Sequence, residues 1–154
     1  MCIRDSNVSH QLTVSSEITY YNGTVYKRVV LLIVLQVIAD AGGSFETART
    51  IGFGNHTAFI HFVDDPKDYY KIWLNEGQMV SIMLSIQEPN PGLYLHLYLY
   101  SPDGNPVASS SSTKPNSTEQ ITYTINQPGS WYIQVLDPYA GHTLYTLSIK
   151  AEQP

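Results

Sequence analysis

The segment Leu93-Tyr94-Leu95-His96-Leu97-Tyr98-Leu99-Tyr100 decides the fold. Every second residue is leucine, and those between are tyrosine or histidine. On a β-strand this period of two sends the leucines to one face and Tyr94, His96, Tyr98 and Tyr100 to the other, whereas a helix would scatter both sets. Turn chemistry bounds the run on each side, with Glu88-Pro89-Asn90-Pro91-Gly92 before it and Ser101-Pro102-Asp103-Gly104 after it.

Outward from this strand the theme repeats. Ala58, Ile60 and Phe62 alternate before Asp64-Asp65-Pro66. Tyr70, Ile72 and Leu74 alternate before Asn75-Glu76-Gly77, and Val80, Ile82, Leu84 and Ile86 before the proline-rich turn. On the far side come Ile121, Tyr123 and Ile125, then Trp131, Ile133 and Val135, then Tyr145, Leu147 and Ile149. Short alternating runs spaced about ten residues apart predict an all-β, antiparallel sandwich or barrel. Two stretches break the pattern. A helical turn is expected around Phe45 to Thr50, and Ser109 to Thr118, rich in Ser and Thr, reads as a mobile loop.

The first part of the chain reads separately. Met1-Cys2-Ile3-Arg4-Asp5-Ser6 resembles a translated sequencing adapter and is set aside from fold reasoning. Leu12, Val14, Ile18 and Tyr20 alternate, Asn22-Gly23 follows, and an apolar run extends from Val25 to Ile38. Two β-type runs around Asn-Gly predict a hairpin. Residues 7–39 are therefore expected to be the terminal hairpin of a truncated upstream β-domain, and residues 40–154 a second β-sandwich domain. Val29 to Ala39 is too short for a membrane-spanning helix, which needs about 20 residues, so no membrane span is expected here.

Composition narrows the function. The net charge of −5 and eight scattered basic residues among 154 argue against nucleic-acid binding, which needs clustered Lys and Arg. The single cysteine, Cys2, excludes an intramolecular disulfide. The motifs Gly-x-Ser-x-Gly and His-Glu-x-x-His are absent. His10, His56, His61, His96 and His142 stand alone in sequence, without metal-binding spacing. The expectation is a chain that is not an enzyme.

Two groups of residues remain as candidate sites. Asp64, Asp65 and Asp68 lie within five residues in a proline-containing turn and repel one another unless a cation or solvent neutralises them. They read equally as a solvated acidic turn that caps local backbone N–H groups. Tyr94, His96, Tyr98 and Tyr100 offer flat apolar bodies with polar tips. That suits a sugar or peptide ligand, a neighbouring domain, or a solvated β-face. Asn7, Asn22, Asn55 and Asn116 each begin an Asn-x-Ser/Thr sequon. Asn22, Asn55 and Asn116 are the glycosylation candidates that point to a secreted or cell-surface glycoprotein.

Four segments in order carry a family resemblance: Asp40-Ala41-Gly42-Gly43-Ser44-Phe45-Glu46-Thr47-Ala48, Asp64-Asp65-Pro66-Lys67-Asp68-Tyr69-Tyr70-Lys71-Ile72, Leu95 through Gly104, and Gly129-Ser130-Trp131-Tyr132-Ile133-Gln134-Val135. Together they resemble the bacterial and archaeal pre-peptidase C-terminal domain, a jelly-roll-like β-sandwich appended to secreted proteases and related to collagen-binding modules. The resemblance implies a non-catalytic accessory or stabilising domain of a larger secreted or cell-surface protein, such as a subtilisin-like protease, whose partners are the upstream domains of the same polypeptide. It also implies calcium, with Asp65 and Asp68 as ligands, Asp40 and Glu46 as candidates from the linker, and Asp64 as a further one. Two alternatives stand beside it. One is a module binding fibrous protein or polysaccharide through Tyr94, His96, Tyr98 and Tyr100. The other is a structural subunit of an extracellular layer or fibre, exchanging strands through the apolar hairpin.

Overall fold

A computed structural model of the chain describes residues 19–21, 24–26, 41–63, 65–89, 91–139 and 141–152. The chain divides into two compact units, Met1–Ala39 and Asp40–Pro154. In the first, β1 (Thr19–Tyr21) and β2 (Thr24–Tyr26) pair antiparallel, with Tyr21 opposite Thr24 across the Asn22-Gly23 dipeptide. Residues 1–6 and the apolar run Val29 to Ala39 lie outside the described residues.

The second unit runs through β3 (Arg49–Thr50), β4 (Gly54–His61), β5 (Lys67–Leu74), β6 (Met79–Ile86), β7 (His96–Tyr100), β8 (Pro106–Ser111), β9 (Glu119–Thr124), β10 (Gly129–Leu136) and β11 (His142–Glu152). Five strands form one sheet in the order β3-β5-β10-β7-β8, and four form the other in the order β4-β11-β6-β9. All pairs are antiparallel except β3 with β5. In this unit the chain crosses from sheet to sheet at nearly every connection, and β7 to β8 is the one hairpin within a sheet among its described residues. This is a jelly-roll-like β-sandwich.

Alternation builds the core. Leu93, Leu95, Leu97 and Leu99 are buried, and so are Tyr70, Ile72 and Leu74 on β5, Trp131, Ile133 and Val135 on β10, and Tyr145, Leu147 and Ile149 on β11. These inward faces meet in one apolar cluster. Each fully buried leucine contributes about 1.5–3 kcal/mol relative to an exposed one. Turn chemistry sets the ends. Gly104 takes φ 78°, and its N–H donates to Ser101 O at 2.9 Å, closing the Ser101–Gly104 turn where glycine has no Cβ to clash.

Three expectations are corrected. Phe45 to Thr50 is a turn at 45–47 followed by strand β3, not a helical turn. Ser109 to Thr118 is in part strand, since β8 extends to Ser111. Phe62 does not continue the inward face of Ala58 and Ile60, because β4 ends at His61 and Phe62 sits exposed in the turn.

Candidate functional site

The three acidic candidates among the described residues differ in burial: Glu46 is exposed, Asp65 half-buried and Asp68 buried. Asp68 falls on the inward face of β5, fully buried, where its Oδ2 accepts a hydrogen bond from the Tyr145 hydroxyl. Tyr145 in turn lies 2.5 Å, hydroxyl to hydroxyl, from Tyr70. Burial first, then the Asp68 charge, pushes the Tyr145 hydroxyl well above its usual pKa of 10.0. Asp65 is half-buried and forms a backbone bridge with His61, its N–H donating to His61 O at 2.7 Å. Glu46 lies on the exposed turn after the linker, and a hydrogen bond with Ser44 followed by one to its own backbone lowers its carboxyl pKa. Asp40 and Asp64 lie outside the described residues. Among the described residues no three His, Cys, Asp or Glu converge to hold an ion.

The aromatic face is built differently. His96, Tyr98 and Tyr100 occupy the outward face of β7, with Tyr98 opposite Gln134 and Tyr100 opposite Tyr132 on β10. Gln134 joins two tyrosines. The Tyr100 hydroxyl donates to its Oε1 at 2.9 Å, and its Nε2 donates to the Tyr69 hydroxyl at 2.6 Å. Phe45 caps this group, its ring centroid 4.9 Å from Tyr69, 4.9 Å from Tyr132 and 5.1 Å from Tyr100. Partial burial raises the hydroxyl pKa of both Tyr69 and Tyr100.

The strip continues past Phe45. Tyr98 lies 6.4 Å from Tyr100 and 6.3 Å from His96, whose ring lies 6.4 Å from Tyr139. Tyr94 precedes β7 and meets Tyr139 edge-on at 5.4 Å. Tyr139 is 64% exposed. The four residues read from the sequence as an exposed row are thus half-buried among other rings, and one end is covered by the lead-in segment.

That lead-in is held at a second point. Gly42 bridges to Tyr69, whose N–H donates to Gly42 O at 2.7 Å. A Cβ on Gly42 would come 1.8 Å from the Thr47 carbonyl oxygen, so the close turn requires glycine. Phe45 and Gln134 were not singled out in the sequence, since a lone Phe in a linker and a Gln inside a strand carry no local signal. Nor was Glu119. It is 3% exposed and accepts hydrogen bonds from Ser110 Oγ at 2.5 Å, Ser117 Oγ at 2.7 Å and the Ser112 N–H at 3.0 Å. Of the sequons, Asn55 is exposed on β4, Asn116 is half-buried with φ 57°, and Asn22 lies outside the described residues.

Residues 66–136 match the family model of the bacterial pre-peptidase C-terminal domain. The solved pre-peptidase C-terminal domain of collagenase from Bacillus anthracis aligns with a TM-score of 0.55 at 19% identity, covering 66% of this chain and 93% of that one. The chain also aligns with PliG, a periplasmic lysozyme inhibitor of g-type lysozyme. The Aeromonas hydrophila protein gives a TM-score of 0.46 at 11% identity, over 68% of this chain and 96% of that one. The Salmonella Typhimurium protein gives 0.44 at 19% identity, over 69% and 100%. No curated protein matches. The chain is thus similar to the family that the four sequence segments resemble, and its second unit has that family's fold.

Proposed function

We propose that residues 40–154, similar to the pre-peptidase C-terminal domain over 66–136, serve as a non-catalytic accessory and stabilising domain of a secreted or cell-surface protein, with a subtilisin-like protease as its carrier. The observation that carries this is the two-point attachment of the lead-in, by the Gly42–Tyr69 bridge and by Phe45 among three tyrosines. A lead-in fixed at two points sets the path by which the polypeptide reaches the sandwich. The polar group at the centre of the sandwich, Asp68 with Tyr145 and Tyr70, is sealed from substrate. The exposed Asn55 sequon supports an extracellular location. The test is the natural upstream sequence expressed with and without residues 40–154. A longer half-life of the secreted product with the domain present supports the reading, and equal half-lives overturn it.

Bracing of the lead-in is assigned here to protein contacts. Calcium bracing through Asp65 and Asp68, with Asp40, Glu46 and Asp64 as further ligands, is the competing proposal. A rise in melting temperature with calcium, reversed by EDTA and reduced in Asp65→Asn, would favour it.

A second reading rests on the uncapped end of the strip, where Tyr139 is 64% exposed beside Tyr94 and His96. This end suits the flat faces of a polysaccharide or a fibrous protein. Retention of the chain on immobilised glycans or collagen-like peptides, lost in Tyr98→Ala, would support it. Retention unchanged by that substitution would remove it.

A further inference from the structure

Five histidines that stand alone in sequence do not all stand alone in space. His61, the last residue of β4, pairs with His142, the first of β11, across the antiparallel ladder. Their ring centroids lie 6.1 Å apart with the planes inclined by 39°. Phe59 flanks both, at 6.5 Å from His61 and 6.4 Å from His142.

The backbone explains the closeness. In an antiparallel ladder, opposed residues alternate between hydrogen-bonded pairs and closer pairs that exchange no backbone bonds. His61 spends both of its backbone groups on Asp65: its N–H donates to Asp65 O at 3.1 Å, and its carbonyl accepts from the Asp65 N–H at 2.7 Å. The adjacent step is bonded, with the Phe62 N–H donating to Gly141 O at 3.1 Å. His61 and His142 therefore occupy a close step, where side chains approach most nearly. His142 is exposed and His61 half-buried, so solvent reaches the pair.

We propose that His61 and His142 form a two-imidazole site for a divalent transition-metal ion of the zinc class. Imidazole nitrogens bind tetrahedral zinc at about 2.0–2.1 Å, which sets the centroids of two rings on one ion about 5 Å apart. The observed spacing is about 1 Å wider, a gap that rotation of the exposed His142 side chain closes. Imidazole selects zinc, copper and nickel over calcium and magnesium, which take oxygen ligands. No third His, Cys, Asp or Glu among the described residues joins them. Water completes the shell, and the ion is held by two protein donors. Phe59 gives the site an apolar wall on one side.

The test is calorimetric titration of zinc chloride into the full chain, in a Cys2→Ser, His10→Ala background. The expected result is one zinc per chain at micromolar affinity. His61→Gln and His142→Gln should each weaken binding at least about tenfold, while His56→Gln, on the same strand, leaves it unchanged. Calcium should not displace the zinc. If His61→Gln fails to fold, the exposed His142 carries the test alone. Absence of zinc binding, or affinity unchanged in His142→Gln, overturns the proposal.

Discussion

Tyr69 and Tyr70 are neighbours in the chain and face opposite sides of β5, and each belongs to a three-membered polar group. Tyr70 faces the core, where its hydroxyl meets Tyr145 and, through it, the Asp68 carboxylate. Tyr69 faces outward, where Gln134 links it to Tyr100 beneath Phe45. All three residues of the inner group are fully buried, whereas the tyrosines of the outer one are half-buried beneath the Phe45 ring. A polar group sealed in the core must be satisfied completely or cost free energy, while one at the surface can fall back on solvent. The same residue type therefore does different work on the two faces: inside it fixes how the sheets pack, and outside it holds the lead-in.

That contrast can be broken at its strongest point first. Asp68→Ala removes the carboxylate that accepts from the buried Tyr145 hydroxyl and opens a void, and should lower unfolding stability by about 3–5 kcal/mol in urea titration. A loss as small as that of the outer substitutions would erase the distinction. Phe45→Ala removes three ring contacts worth about 0.5–1.5 kcal/mol each. It should cost about 2 kcal/mol and speed proteolytic cleavage within residues 41–50, with the core strands still protected from hydrogen exchange.

Alkaline titration separates the faces by pH. The folded protein keeps the Tyr145 proton above pH 10.0, where the unfolded chain releases it. The stabilisation is whole below that pH and falls as pH rises beyond it, by about 1.4 kcal/mol per pH unit for one group. Tyr145→Phe should flatten that limb of the stability curve, and Tyr100→Phe should flatten it less, since burial raises the Tyr100 pKa from a half-exposed position. The smallest effect belongs to Gln134→Ala, about 1 kcal/mol: the amide is buried, but the Tyr100 and Tyr69 hydroxyls it releases are half-buried and can turn to water.

The inner face was legible in the sequence because the hydrophobic period writes it directly. Leu93 through Leu99, Tyr70 through Leu74 and Trp131 through Val135 all point inward as their alternation predicts. Strand β8 was not legible, because Val107 and Ala108 are followed by serines that carry no period. Of the sites, the outward placement of His96, Tyr98 and Tyr100 followed from the leucine repeat. The cover provided by Phe45 did not, since it depends on a turn that folds the linker back. Asp68 illustrates the limit most sharply. Its motif reads as part of an acidic surface turn, yet strand parity on β5 puts it on the same face as Tyr70, Ile72 and Leu74. The register of β11 against β4, which brings His61 to His142, has no trace in either local sequence.

Glu119 has a wider consequence. It ties the last strand of one sheet to the last strand of the other, while the Gln120 N–H donates to Ser110 Oγ at 3.2 Å. Polymerisation by strand addition needs a free row of backbone donors and acceptors at a sheet margin. On this side of the sandwich the Ser112 and Gln120 amides are already taken by side chains. Copies crowded together meet a stitched hem there instead of a template.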